Sequence, residues 1–205
     1  MNRSTAFLAA FATTLCFSTA TLAADSVVAK TTFDSDLGGW TANTPPDVQW
    51  NATGGNPGGE ALFTDKTSGV GTIMIAPASF LSPAVNYTKL NGKAYISYQH
   101  RMVKETGVLG VGNYNIVMSG PGGTATFTGA LAIILDKKNP WVTVVAPLVE
   151  ADWAMSNGGN WSDLLANVTS IQIPMEMVSN SGGETDQEAM DNIELVSHPA
   201  GFSPK

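Results

Sequence analysis

Ile171-Gln172-Ile173-Pro174-Met175-Glu176-Met177 places an apolar side chain at every second position. Successive side chains of an extended strand point to opposite faces, so this spacing predicts a β-strand with one face in a core. Pro174 has no amide donor, which predicts an edge strand or a bulge at that point. The rest of the chain repeats the theme in shorter form. Apolar runs at residues 61–64, 72–76, 94–102, 131–135, 141–148 and 192–197 are separated by clusters of Gly, Asn, Pro and Asp. Within residues 94–102, Ala94, Ile96 and Tyr98 alternate with Tyr95, Ser97 and Gln99. Residues 115–119 and 124–127 flank Gly120-Pro121-Gly122-Gly123 and predict a hairpin. Helical periodicity is credible in one place, where Trp161, Leu164, Leu165 and Val168 form a single apolar stripe that Asn160 or Ser162 could cap. Many short strands, glycine-rich turns and one short helix predict an all-β fold: an antiparallel two-sheet β-sandwich of the jelly-roll type.

The N-terminus has a different character. Asn2 and Arg3 precede an apolar stretch at residues 6–17, and small residues follow up to Ala24. That order predicts a signal peptide over residues 1–24 and a secreted or periplasmic mature protein. The apolar stretch is short of the roughly twenty residues that a spanning helix needs. Residues 25–197 are then the β-sandwich domain, and 198–205 a flexible tail with two prolines and a glycine. Cleavage removes Cys16, the chain's one cysteine, leaving no disulfide, thiol nucleophile or cysteine metal site. The full chain carries a net charge of −7, and losing Arg3 makes it −8. An acidic surface argues against nucleic acid and anionic membranes, both of which recruit basic patches.

Catalytic motifs are sparse. No G-x-S-x-G elbow, Walker loop or H-E-x-x-H is present. His198 lies in the tail, so a Ser-His-Asp arrangement would rest on His100. Glu150, Asp152, Glu176 and Glu184 could supply the carboxylate pair of a glycoside hydrolase, an unfavoured alternative. Oxygen donors suited to calcium gather in three segments: residues 33–36, residues 56–60 with Asp65, and Asp191-Asn192. Asp and Asn also serve turns, their commonest use. Five tryptophans are present, at 40, 50, 141, 153 and 161. Buried tryptophans fill sandwich cores and exposed ones stack on sugar rings, and Trp50, beside the glycine-rich turn at 54–59, is the one most readily exposed. Gln99 and Arg101 point the same way from one strand and form the candidate polar pair for ligand hydroxyls.

Specific stretches carry a resemblance. Phe33-Asp34-Ser35-Asp36-Leu37-Gly38-Gly39-Trp40 opens the domain, and Ala76-Pro77-Ala78-Ser79-Phe80-Leu81 follows. Then come Val117-Met118-Ser119-Gly120, Trp141, Trp153, Leu164-Leu165-Ala166-Asn167-Val168 and, at the end, Met190-Asp191-Asn192-Ile193. In this order, over residues 31–197, the chain resembles the laminin B domain, including its stand-alone bacterial versions. The resemblance implies a galactose-binding-like jelly roll, a fold shared with many carbohydrate-binding modules, and no catalysis. It also implies a structural calcium ion held by Asp34, Asp65 and Asp191. The expected function is a secreted, non-catalytic, carbohydrate-binding module with Trp50, Gln99 and Arg101 at its ligand site. The expected partner is an extracellular glycan. A cell-envelope structural or protein-interaction domain, with an envelope protein as partner and no small ligand, is the alternative.

Overall fold

The computed structural model describes residues 24–66, 71–104, 109–111, 115–129, 141–156, 158–176, 178–180 and 186–199. The signal-peptide region, the run at 131–135, Glu184 and residues 200–205 lie outside them. The strands are β1 (Ser26–Thr31), β2 (Thr41–Ala42), β3 (Val48–Gly55), β4 (Gly58–Thr64), β5 (Ile73–Ile75), β6 (Ala94–Lys104) and β7 (Leu109–Val111). They continue with β8 (Val117–Gly120), β9 (Gly123–Phe127), β10 (Val142–Pro147), β11 (Trp153–Ser156), β12 (Ser170–Pro174), β13 (Val178–Asn180) and β14 (Gln187–Ser197). Two short helices, α1 (Tyr87–Leu90) and α2 (Trp161–Ala166), complete the described set together with single 3-10 turns at Ala78–Phe80 and Glu150–Asp152.

β7 and β13 pair in a separate two-stranded sheet, and the other twelve strands form two six-stranded antiparallel sheets. One runs β10-β6-β14-β4-β3 with β1 added on β14, the other β11-β9-β8-β12-β5-β2. Their facing sides make one core, the β-sandwich that the turn punctuation predicts. Phe33, Phe63, Tyr87, Ile96, Tyr98, Ile116 and Met118 are essentially fully buried in it. Each such aliphatic or aromatic side chain contributes about 1.5–3 kcal/mol by leaving water. Trp153 bridges Phe127 and Trp161 at centroid distances of 5.3 and 5.8 Å. α2 closes one end of the core with Trp161, Leu164 and Leu165, and Asn160 caps it by accepting the Asp163 N–H. α1, a single turn, is too short to leave a sequence period.

β12 corrects one expectation. It is an interior strand, between β5 and β8. Pro174 is tolerated because β8 pairs only Ser170 to Gln172, while β5 pairs Gln172 to Pro174. The missing amide therefore falls where one neighbour has already ended.

β14 sets up everything that follows. It pairs β6 along most of its length. Its other side is shared: β4 holds Gln187 to Met190, and β1 holds Ile193 to Ser197. Between the two partners the register slips, and Asn192 takes φ +49°, the left-handed region that Asn enters more readily than most residues. The fork between β4 and β1 opens at Asp191-Asn192.

Candidate functional site

The outer face of the first sheet is the candidate site. On β6, inward Ile96, Tyr98, His100 and Met102 are buried, while Tyr95, Gln99, Arg101 and Val103 on the other side are partly exposed. The shared direction of Gln99 and Arg101 follows from this alternation. Thr143 of β10 lies opposite Gln99 and Val145 opposite Ser97, while Asp191 of β14 flanks Gln99 from the other side. Trp141 precedes β10, and the Arg101 Cζ sits 4.9 Å from its ring centroid. A cleft of about 410 Å³ opens here, lined among others by Lys30, Tyr95, Gln99, Thr143, Asn192 and Glu194.

The charges on this face are matched. Arg101 Nη2 donates to Glu60 Oε2 at 2.8 Å, and Asn51 Nδ2 donates to Glu60 Oε1 at 2.8 Å. Glu60 is 1 % exposed, so these donors replace its lost water. Lys30 Nζ lies 2.6 Å from Glu194 Oε1.

Trp50 stands apart from Gln99 and Arg101. It is 39 % exposed, as its place near the turn suggested, yet in register it opposes Ala61, a residue of the buried side of β4. Its indole Nε1–H donates to the Phe33 carbonyl at 2.6 Å. Trp50 therefore braces the 33–34 loop. The aromatic beside Arg101 is Trp141, which the sequence offered only as one of five tryptophans. Identifying it needs the β6–β10 register, a pairing across some forty residues.

Asp34 and Asp191 meet at the fork, and Asp65 does not join them. Asp191 is fully buried and accepts the backbone N–H groups of Asn56 and Asn192, each at 2.6 Å. Burial raises its pKa, and the nearby Asp34 and Glu60 charges add to the rise against those two hydrogen bonds. Gly58, at φ +89°, lets the β3–β4 turn close over Asp34, since a Cβ there would run into Asp34 Oδ1. The carboxylate oxygens of Asp34 and Asp191 and the Asn56 carbonyl are of the type calcium takes, with the Asp191 oxygens also accepting N–H groups. No group of three or more His, Cys, Asp or Glu among the described residues is arranged to hold a metal.

Asp65 follows the far end of β4 and belongs to a second acidic group. Its N–H donates to the Asp186 carbonyl. Glu176 accepts the Thr72 N–H at 3.0 Å, and burial lifts its pKa to about 7, helped by the charges of Asp65, Asp186 and Glu188. Asp186 is raised to about 6, mainly by burial. His100 and Glu188, both essentially fully buried, lie 2.7 Å apart without hydrogen-bond alignment. His100 is thus a core residue facing an acid, remote from solvent. Glu150 and Asp152 sit in the 3-10 turn before β11. A separate hollow of about 520 Å³ lies between α1 and α2, with Lys89 as its charged residue.

No family model and no curated protein matches the chain. Solved structures do. The L4b domain of human laminin alpha-2 aligns with a TM-score of 0.51 at 11 % identity, covering 82 % of this chain and 96 % of that one. An exo-beta-agarase aligns with a TM-score of 0.52 at 11 % identity, over 83 % of this chain and 25 % of that one. The C-terminal family 22 carbohydrate binding module of Clostridium thermocellum Xyn10B gives 0.49 at 13 % identity, over 86 % and 97 %. At these identities the first two likenesses establish the fold: the jelly-roll sandwich implied by the laminin B resemblance.

Proposed function

We propose that this protein is a secreted, non-catalytic carbohydrate-binding module that takes its ligand on the outer face of the first sheet. The observation that carries the reading is the row along β6 and β10. Tyr95 and Arg101 with Trp141 stand about 20 Å apart, from six residues of strand rise, with Gln99 and Thr143 between them. Aromatic groups at both ends and polar groups between suit an extended sugar chain, whose apolar ring faces stack while hydroxyls find donors. A retaining or inverting hydrolase needs two carboxylates free to flank a bond. On this face Glu60, Asp191 and Glu194 are held by Arg101, backbone amides and Lys30 respectively. The exposed large apolar residues among those described, Val27, Val28, Trp50 and Val145, are scattered over three strands. A protein-docking surface would gather them into one patch.

Affinity electrophoresis of the protein from Asp25 onward, in gels cast with neutral and anionic polysaccharides, tests the proposal. Retardation by at least one polysaccharide that is lost in Trp141→Ala, with melting unchanged, is the expected result. Free migration in every gel would overturn it. We extend the calcium reading to the fork as a proposal as well: Asp34 and Asp191 would hold the ion, without Asp65, and it would supply charge compensation for the two carboxylates. Excess chelator is then expected to lower the melting temperature by a few degrees. An unchanged melt would remove the ion.

A further inference from the structure

The side-chain amides at the fork fix one another's direction. The Asn56 backbone carbonyl can only accept, and Asn192 Nδ2 lies 2.6 Å from it. Asp191 Oδ2, also an acceptor, is 3.3 Å from the same nitrogen. The amide end of Asn192 must therefore be where it is. That nitrogen is 2.9 Å from the terminal atom of Gln99, which must then be the oxygen, Oε1. Asn56 Nδ2 approaches the same oxygen at 3.1 Å. Direction thus passes from a backbone carbonyl to Asn192 and on to Gln99, with Asn56 as second witness. Gln99 Oε1 is consumed by two donors, and Nε2, with both its hydrogens, is left on the other side. Gln99 lines the cleft and sits on β6, held between β10 and β14.

The charges beside the cleft narrow what Nε2 can meet. The two cations described on this face are already engaged, Lys30 with Glu194 and Arg101 with Glu60. Among the described residues, a uronate or sulfate group arriving here would have to displace Glu194 or Glu60 to gain a cation, an unfavourable element of the kind that produces selectivity.

We infer that Gln99 is a donor-only specificity residue, aimed by Asn192 and Asn56, that presents its amide N–H pair to an oxygen of an uncharged sugar unit in this cleft. The inference rests on the glycan-binding reading above and deepens it. Asn192 and Asn56 are positioning residues. An amide locked in one direction discriminates because a ligand group that cannot accept leaves its N–H pair unsatisfied.

The test titrates the protein from Asp25 onward, and its Gln99→Glu and Gln99→Met variants, with matched polysaccharide pairs: arabinoxylan against glucuronoxylan, and agarose fragments against carrageenan fragments. Gln99→Glu keeps an oxygen for Asn56 and Asn192 but removes both donors and adds charge. Gln99→Met removes the donors without charge. The wild type is expected to prefer a neutral member of a pair, and both variants to lose at least about tenfold affinity for it with melting temperatures within a degree or two of wild type. Wild-type binding that either variant retains overturns the inference and leaves the glycan reading standing. So does preference for the acidic member. Absence of wild-type binding to all four takes away both. If Gln99→Glu fails to fold, Gln99→Met carries the test alone.

Discussion

Two groups of buried carboxylates lie a few residues apart along β4 and β14, the second drawing in Glu176 from just past β12 of the other sheet, and they differ in what surrounds them. At the fork, Glu60 and Asp191 are each met by donors: Arg101 and Asn51 for one, two backbone amides for the other. At the far end, Glu176, Asp186 and Glu188 crowd one another, and the first two hold protons well above the ordinary carboxylate range. Asp47, at 1 % exposure with neither carboxylate oxygen bonded among the described residues, belongs to the same end of β4 through the Thr64 N–H to Asp47 carbonyl bond. Burial costs a carboxylate its water in both places. Donors orient the carboxylates at the fork, which builds a surface able to position amides for a ligand. Burial and mutual repulsion raise Glu176 and Asp186 toward neutrality instead, which builds a seam whose stability follows pH.

The largest expected effect breaks the donor side. Arg101→Ala strands Glu60 at 1 % exposure with Asn51 as its remaining donor. Removing one partner of such a pair is expected to cost about 3 kcal/mol in urea unfolding, because the other charge stays buried. Adding Glu60→Gln should restore roughly half, since a neutral amide strands no charge. A cost below about 1 kcal/mol for Arg101→Ala would mean that Glu60 reaches solvent and that the contrast between the two groups is false. This also makes Arg101→Ala a poor probe of ligand binding, and Trp141→Ala a better one.

The next effect sharpens the proton side. Glu176 ordinarily titrates at 4.5 and is raised to about 7 in the fold. The folded state therefore binds this proton more tightly than the unfolded chain. Ionisation above pH 7 opposes folding, and stability is regained as pH falls through 7 toward about 5, where the unfolded chain also begins to protonate. Asp186, raised to about 6, acts in the same direction over the lower part of that window. The expected gain between pH 8 and pH 5.5 is on the order of 1–3 kcal/mol. Glu176→Gln keeps an oxygen for the Thr72 N–H and removes the ionisation, so most of this slope should vanish. Thermal melts across that range that show no slope in the wild type would place Glu176 in contact with water.

These contrasts separate what the chain announces locally from what only pairing supplies. Parity within one strand was enough to put Gln99 and Arg101 on one face and to bury Tyr98 and His100 on the other. Turn residues and period-two runs were enough for a two-sheet sandwich. The laminin B resemblance nominated Asp34, Asp65 and Asp191 together, and nothing in the sequence separated them. Register distinguishes them. Asp191 lies where β4 hands over to β1, and Asp65 lies past the end of β4 beside Asp186. The sequence favoured Trp50 over Trp141 for its place beside a turn, and only the pairing of β10 with β6 and of β3 with β4 puts Trp141 beside Arg101. Pro174 misled for a related reason: a missing donor excludes a neighbour at one residue, not along a whole strand.

The smallest effect concerns a single hydroxyl between the two groups. Tyr98 is fully buried, and its hydroxyl has no hydrogen-bond partner among the described residues. Burial raises its pKa far above the ordinary phenol value, with the Glu188 charge adding to it, so the group stays neutral and acts only as an uncompensated dipole. An unpaired buried hydroxyl costs about 1–3 kcal/mol of desolvation that no bond returns. Tyr98→Phe removes that cost and leaves a ring of nearly the same shape, at the risk of a small void. The net expectation is neutrality or a gain of up to about 1 kcal/mol, whereas loss of a bonded tyrosine hydroxyl usually destabilises. Tyr87 supplies the internal control. Its equally buried hydroxyl donates to the Phe80 carbonyl at 2.5 Å, so Tyr87→Phe should cost about 1 kcal/mol. Urea unfolding of the two variants side by side asks of neutral groups the question that Arg101 and Glu176 ask of charged ones: whether burial or the missing partner sets the cost. Equal losses in both would mean that Tyr98 also has a partner, and that the interior between the two acidic groups is better satisfied than its geometry indicates.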